Sequence, residues 1–388
     1  MEVYLGVVTA DDPQAASGSG LDPTSVVKVI SAIVGEVNHR GGVFGRRLVP
    51  LFHQSQSTGL LTNPQAAAQE TCSYFTQKVK VVAVVNLVGA VDTTSFRDCL
   101  RAADLPLIGM DSALHDDQSL RDAGPHVFTQ QADLSRLPAH WLARLSAQGY
   151  FDGSAKLGIL SDASAAGQRF VDRLADDADG KGLTVAKALT YTAGSAASLG
   201  SVQRTFMDAG VTHVLMVPAS AADALTFLQR AEQQGFRPRY ALSSSLGPDQ
   251  LARSAPAGQL QGSVGIGWSP GLDVDDAHDS TSSAERACLA VLKRGGVTFS
   301  SGQRSAKAAG FAMCDALSIT LAGAKHAVRL DPAGLLLGVT ALGPGFPVSV
   351  AFGNGLTPLS RTLASSSRDL RFDPACRCFA YSGPVRTF

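Results

Sequence analysis

The chain predicts an α/β protein made of two doubly wound parallel sheets, and three observations carry that expectation. Short apolar runs rich in β-branched residues alternate with helical patterns over most of its length. Its 388 residues exceed the roughly 250–300 at which a single core stops growing, so two domains are expected. Near the N-terminus a strand, a helix and a second strand follow one another with turn chemistry that reads as a β-α-β unit.

That unit opens with a strand over residues 3–8 and, after the loop 9–20, continues into a helix over 25–37. Val26, Val29, Ile30, Ile33, Val34 and Val37 line one face of this helix. Asn38 ends it. Gly41 and Gly42 allow the positive φ angles of a C-terminal cap and tight turn, and Gly45 permits a second bend before 48–52 resumes as strand. Residues 81–87 form a near-continuous apolar run, as a strand buried on both faces should, and 107–110 is a shorter one. The pattern repeats at 156–160, 185–189, 213–217 and 240–243, with helices over 165–175, 199–209 and 221–234 between. The changeover from one sheet to the other is expected near 126–133. Farther on, 264–268 is strand-like, 273–283 reads as a surface loop or helix start, and helical patterns cover 284–293 and 306–324. The Pro- and Gly-rich tail 334–388 is longer than a closing strand requires, and 373–388 has no evident role beyond covering the second domain.

Composition excludes several classes of function. With 33 basic and 33 acidic residues the chain lacks the basic excess of a nucleic-acid binder. No run approaches the ~18 apolar residues of a membrane span. The motifs G-x-S-x-G, H-E-x-x-H and G-x-x-x-x-G-K-[ST] are missing, and after Gly265-Ile266-Gly267 the next glycine comes one place too late for a dinucleotide fingerprint. Asp162 follows a strand end but has no His or Lys at a useful offset, and the eight histidines are scattered. No catalytic residue, cofactor or metal ligand is therefore assigned.

The segment Val37, Asn38, Gly41, Gly42, Gly45, Arg46 matches, as it stands, a V-N-x-x-G-G-x-x-G-R pattern that closes the first helix of the type I periplasmic binding proteins. At this motif the chain resembles the branched-chain amino acid (leucine/isoleucine/valine) binding group of that family, and the order of elements extends the resemblance, more weakly, over nearly the whole length. The resemblance implies two lobes joined by a three-crossover hinge, with 1–128 and 268–335 in lobe 1 and 129–267 and 336–388 in lobe 2. It also implies a monomeric solute-binding protein of an ABC importer, whose partners are a small-molecule ligand and the transporter's membrane subunits, with no nucleic acid. A ligand-sensing receptor or regulator of the same fold is the alternative, and an α/β enzyme with an unrecognised site is a third. Met1-Glu2-Val3 enters the first strand without a basic region, apolar stretch or cleavage site. Either the protein is cytosolic or its export signal is absent from this sequence; cysteine usage favours the second, and the expectation is an extracytoplasmic protein, periplasmic or at the cell surface, with or without a lipid anchor.

Cysteine usage agrees with an oxidising compartment. Six cysteines allow fifteen connectivities, and the local couples Cys72 with Cys99, Cys288 with Cys314 and Cys376 with Cys378 are the favoured pairing, the third least firmly. Relatives often carry a disulfide in this part of the first lobe. Buried free thiols are the competing reading. A metal site is disfavoured because Cys376-Arg377-Cys378 lacks a second ligand couple and its nearest histidine in sequence is His326.

In such an architecture a ligand is expected where strand ends and helix N-termini converge. The loops there are rich in Gly, Ala, Ser and Thr, and the candidate ligand-binding residues are Ser17, Gly89, Ala90, Val91, Asp111, Ser112, Ala165, Ser220, Ser244 and Trp268. Small hydroxyls and backbone N–H groups bind a carboxylate without a counter-charge; the same residues can equally cap their own helices. Two roles stand for Trp268, over the apolar part of a ligand or in the core. Amino acid-binding relatives typically supply an acid from the second lobe for the ligand ammonium, at the strand end where this chain has Ser243, Ser244 and Ser245. Asp111 could substitute, or could cap a helix. The expected ligand is consequently a small amino acid-like or apolar/aromatic carboxylate, with a non-amino-acid preferred.

Overall fold

The computed structural model describes residues 1–12, 21–109, 114–123, 126–216, 220–357 and 360–388. Its strands are β1 (Glu2–Ala10), β2 (Arg47–Ser55), β3 (Val84–Asn86), β4 (Leu107–Gly109), β5 (Val127–Ala132), β6 (Lys156–Asp162), β7 (Thr184–Tyr191), β8 (His213–Met216), β9 (Arg239–Ser243), β10 (Val264–Gly267), β11 (Thr362–Ala364), β12 (Ser366–Asp373) and β13 (Cys378–Thr387). They form two sheets, ordered β11-β5-β4-β3-β1-β2 and β13-β12-β10-β9-β8-β6-β7. The chain divides accordingly into unit 1 (1–113, 118–131, 281–364) and unit 2 (114–117, 132–280, 365–388). The two-lobed α/β fold with parallel sheets is the one expected.

In unit 1 the helix Pro23–His39 follows β1, with Asp22 accepting from the Ser25 amide at its N-cap. Its buried Val26, Val29, Ile30, Ile33 and Val34 are the apolar stripe read from the sequence. Asn38 does more than end the helix. Its side-chain amide donates to the Leu48 carbonyl at 2.9 Å and its oxygen accepts from the Leu48 amide at 2.8 Å, so it acts as a short piece of neighbouring strand against edge strand β2. The turn between requires Gly42, where φ is +70° and a Cβ would meet the Arg46 carbonyl oxygen at 2.0 Å. The strands β2, β1, β3, β4 and β5 are parallel to one another.

Residues 336–364 belong to unit 1 rather than to the second lobe, which corrects the expected boundary at 335. Two contacts hold them. The helix Pro332–Thr340 lies so close to the helix Arg304–His326 that a Cβ at Gly338 would fall 1.9 Å from the Gly323 carbonyl oxygen. Buried Asp315, on the longer helix, accepts from the amides of Ser349 (2.8 Å) and Val350 (2.9 Å) and from the Ser349 hydroxyl (2.7 Å). The chain then returns through β11 beside β5, with the Thr129 amide donating to the Arg361 carbonyl.

In unit 2 the parallel order β7-β6-β8-β9-β10 is extended by β12, antiparallel to β10, and by β13, antiparallel to β12. This hairpin takes up residues 373–388, to which the sequence assigned only a covering role. Arg144, on the helix Leu137–Ala147, grips Asp369 of β12 through two nitrogens at 2.9 and 2.6 Å. Residues 268–280 also lie in unit 2, later than the crossover expected at 268. Far from belonging to a surface loop, Asp273 is fully buried; the following segment does lead into a helix, Ser283–Arg294, through a Ser282/Glu285 capping box. The disulfides are Cys72–Cys99, Cys288–Cys314 and Cys376–Cys378, the pairing favoured from the sequence.

Two outcomes follow from this packing. Asn38→Ala strips both bonds from Leu48 and lowers stability by about 1–3 kcal/mol in chemical denaturation. Burial pushes the Asp315 carboxyl from 3.8 up to about 7, with the donors of Ser349 and Val350 pulling the other way and Glu285 adding to the rise. A carboxyl that holds its proton in the folded chain after the unfolded chain has released it makes stability fall as pH rises. The stability of the wild type relative to Asp315→Asn therefore drops between about pH 4 and about pH 7 and is level on either side. A level difference across that interval would show that Asp315 does not retain its proton.

Candidate functional site

Parallel order places strand ends at one edge of each sheet, and the point where connections reverse direction opens a crevice there. In unit 1 the reversal falls between β1 and β3, in unit 2 between β6 and β8. Each of these four strands leads to a helix whose N-terminus sits at the same edge: Pro23–His39 after β1, Thr94–Ala102 after β3, Ala165–Asp179 after β6 and Ala221–Gln233 after β8.

At the β3 end, buried Asn86 turns its side-chain oxygen to the Val88 amide at 3.0 Å, shaping the single 3-10 turn Gly89–Val91. Ala90 is exposed at its tip, Gly89 half-buried, and Val91 points into the core. Thr93 then caps the next helix, accepting from the Phe96 amide at 3.2 Å. At the β1 end Asp11 is exposed and accepts from the Ser57 amide at 2.7 Å; bonds from Ser57 hold its carboxyl below the usual range. A charged residue in a loop, as Asp11 is, carries no periodic signal in the sequence.

Unit 2 repeats the arrangement with serines. Ser164 accepts from the Gly167 amide at 3.0 Å and leaves Ala165 exposed at the first helical position. Ser220, exposed, accepts from the Asp223 amide at 3.0 Å. Both oxygens therefore cap their own helices, yet a hydroxyl that accepts still carries a hydrogen to donate. Helix N-termini at this edge carry partial positive charge and favour an anion. Buried Asp223 is already engaged by the Tyr191 hydroxyl at 2.9 Å, and burial together with Asp223 drives the Tyr191 phenol far upward.

The three serines after β9 have different fates. Ser243 and Ser245 share a hydrogen bond of 2.8 Å. Ser244 is buried, accepts from the amides of Trp268 (2.6 Å) and Ser269 (3.1 Å), and donates to Asp273 Oδ2 at 2.8 Å. The same carboxylate oxygen accepts from the Ser269 amide at 3.0 Å and the Tyr381 hydroxyl at 2.6 Å. An acid thus stands beside the strand end that looked neutral in sequence, but it is closed off as a structural pin. Trp268 is fully buried, its ring edge-on to Phe388 at 6.1 Å, so contact with a ligand requires the ring to be uncovered. Ser17, Asp111 and Ser112 lie outside the described residues.

The sequence of residues 2–342 matches the periplasmic binding protein family. The chain belongs to this family. No curated protein matches it by sequence. Among solved structures, this periplasmic binding protein is similar to a branched-chain amino acid ABC transporter protein from Thermus thermophilus with bound valine, at 15% identity and a TM-score of 0.73, covering 100% of this chain and 97% of the other. It is equally similar to an ABC transporter solute-binding protein from R. palustris in complex with 4-hydroxybenzoate (15%, TM-score 0.73, 100% and 97%). A branched-chain amino acid transporter substrate-binding protein from Streptococcus pneumoniae in complex with isoleucine follows at 13% identity and a TM-score of 0.70, covering 99% and 100%. At such identities the likeness speaks for the fold.

Ser244→Ala removes the acceptor of two buried amides and a donor to Asp273. A destabilisation of about 1–3 kcal/mol is expected in denaturant titration. An unchanged midpoint would remove Ser244 from the pin.

Proposed function

We propose that this periplasmic binding protein is the extracytoplasmic solute receptor of an ABC importer, and that its two units close on one small carboxylate with an apolar or aromatic body. The observation that carries the reading is the chemistry of the two crevice edges: helix N-termini, exposed Ala90 and Ala165, and the Ser220 hydroxyl, with the acids nearest the β8 and β9 ends, Asp223 and Asp273, buried and bonded. Such an edge accepts an anion and offers no counter-charge from the β8 and β9 ends to an ammonium, whose burial unpaired is costly, while Asp11 and Asp162 at the β1 and β6 ends already accept from the Ser57 and Ser164 amides. Gly89, Val91, Ser17 and Ser112 are assigned to the same proposed site. The bound 4-hydroxybenzoate of one similar structure is a carboxylate of this kind, without an ammonium; the valine and isoleucine of the others are the competing chemistry.

A ligand touching both units binds the closed state more tightly, and that difference alone shifts the population. The importer's membrane subunits are the partners such closure would address.

Calorimetric titration of 4-hydroxybenzoate and related aromatic acids, alongside leucine, isoleucine and valine, tests the ligand class. Binding of an aromatic acid with no heat from leucine is expected. Ser220→Asp keeps a good helix cap but sets a carboxylate at the crevice, and should weaken the acid at least about tenfold. Small-angle scattering should show a smaller radius of gyration with the bound acid. Tight binding of leucine, lost in Asp111→Asn, would overturn the non-amino-acid reading and make Asp111 the ammonium anchor.

A further inference from the structure

The turn between β12 and β13 carries Cys376-Arg377-Cys378, joined by a disulfide that spans a sequence separation of only 2. The other two disulfides span 27 and 26 residues. Because the chain entropy removed by a cross-link grows with the loop it closes, the Cys376–Cys378 bond contributes little to stability. Cys376 is exposed, unlike Cys72, Cys288 and Cys314. Stability is therefore not what this cysteine pair supplies.

The fold adds a third group that sequence distance conceals. His278, 100 positions before Cys378, brings its Nδ1 to 3.8 Å from Cys378 Sγ. A ring nitrogen of His278 and both sulfurs all lie within 4.8 Å of one another. The partner histidine is thus His278, not His326, and the reason is visible in the packing. Asp273, five positions before His278, is bonded to Tyr381, three positions after Cys378, so that the two segments run side by side. Asp275 holds the imidazole: its Oδ1 lies 2.7 Å from His278 Nδ1 and accepts from the His278 amide at 3.0 Å.

We propose that Cys376, Cys378 and His278 form a redox-gated site for a thiophilic metal ion of the zinc class. In the oxidised chain the two sulfurs are bonded to each other and the site is closed. A dithiol reductant supplies two electrons and two protons, becoming a disulfide itself, and leaves two thiols in the turn. Metal binding then releases both thiol protons to solvent, the imidazole gives up the Nδ1 proton that faces Asp275 and takes one from solvent at Nε2, and the two thiolates and Nδ1 of the neutral ring donate their lone pairs. Metal–sulfur distances of about 2.3 Å and metal–nitrogen distances of about 2.0–2.1 Å in a tetrahedral site set ligand atoms roughly 3.5–3.8 Å apart. His278 and Cys378 already have that spacing, and the movement falls on exposed Cys376. Asp275 yields the ring nitrogen and stays beside the ion as a counter-charge, and water completes the fourth position.

The test uses the full chain, treated with dithiothreitol without denaturant, desalted anaerobically and titrated with Co2+ as a spectroscopic probe. Alkylation and peptide mapping should first find Cys376 and Cys378 opened while Cys72–Cys99 and Cys288–Cys314 stay closed. The reduced chain should then bind one equivalent of Co2+ with a thiolate-to-cobalt charge-transfer band that Zn2+ abolishes, and the oxidised chain should show none. The band should vanish in the Cys376→Ser/Cys378→Ser variant, and His278→Ala, at an exposed position, should weaken binding at least about tenfold. Failure of the short disulfide to open, no band in the reduced wild type, or an affinity indifferent to His278→Ala would each overturn the proposal.

Discussion

Parallel pairing is the constraint on which the rest of this protein depends. Two parallel neighbours cannot be joined by a tight turn, so each connection must travel back over a face of the sheet before the next strand begins. Every strand then finishes at the same edge, and the helix that follows begins there. In unit 1 this gathers the ends of β1, β3 and β4, and in unit 2 those of β6, β8, β9 and β10. The free N–H groups and positive dipole ends at these edges are a by-product of topology, not of any special residue. What the particular side chains decide is which ligand such an edge prefers.

The protein keeps several of its acids out of that edge by using them as internal pins. Asp315 collects two amides and a hydroxyl from Ser349 and Val350, and thereby binds residues 336–364 to unit 1. Asp273 collects Ser244, Ser269 and Tyr381, and thereby binds the segment after β10 to unit 2. A buried carboxylate stripped of such donors would be strongly unfavourable, so each pin determines which unit a crossing segment joins. The same economy leaves serine hydroxyls and alanines at the unit 2 crevice. Neutral donors of this kind favour an anion.

One segment links fold, ligand chemistry and the proposed metal site. The stretch after β10 contributes Asp273 to the pin at the end of β9, and a few residues later presents His278 to the cysteine turn. The antiparallel hairpin β12–β13 receives both through Tyr381 and Cys378. Antiparallel strands at the margin of a parallel sheet can thus do what the parallel core cannot, which is to carry chemistry on a tight turn.

Where hydrophobic period and turn residues agreed, the sequence determined the structure locally. The helix Pro23–His39, the Gly42 turn and the buried β1, β3 and β6 were all legible, because each is set by residues close in the chain. Elements fixed by distant partners were not. Ser366–Asp373 reads S-S-R-D-L-R-F-D, a charged pattern easily taken for loop, although β12 is paired on both sides, with β10 and with β13. The helix Pro332–Thr340 was hidden by Gly334 and Gly338, and Gly338 is needed for contact with another helix. The site was half legible: its small-residue loops follow from strand ends, but nothing in the spacing says that Ser244 is spent on Asp273 or that Trp268 is buried. Those outcomes, like the meeting of His278 with Cys378 across 100 residues, depend on which surfaces touch, and only the tertiary structure decides that.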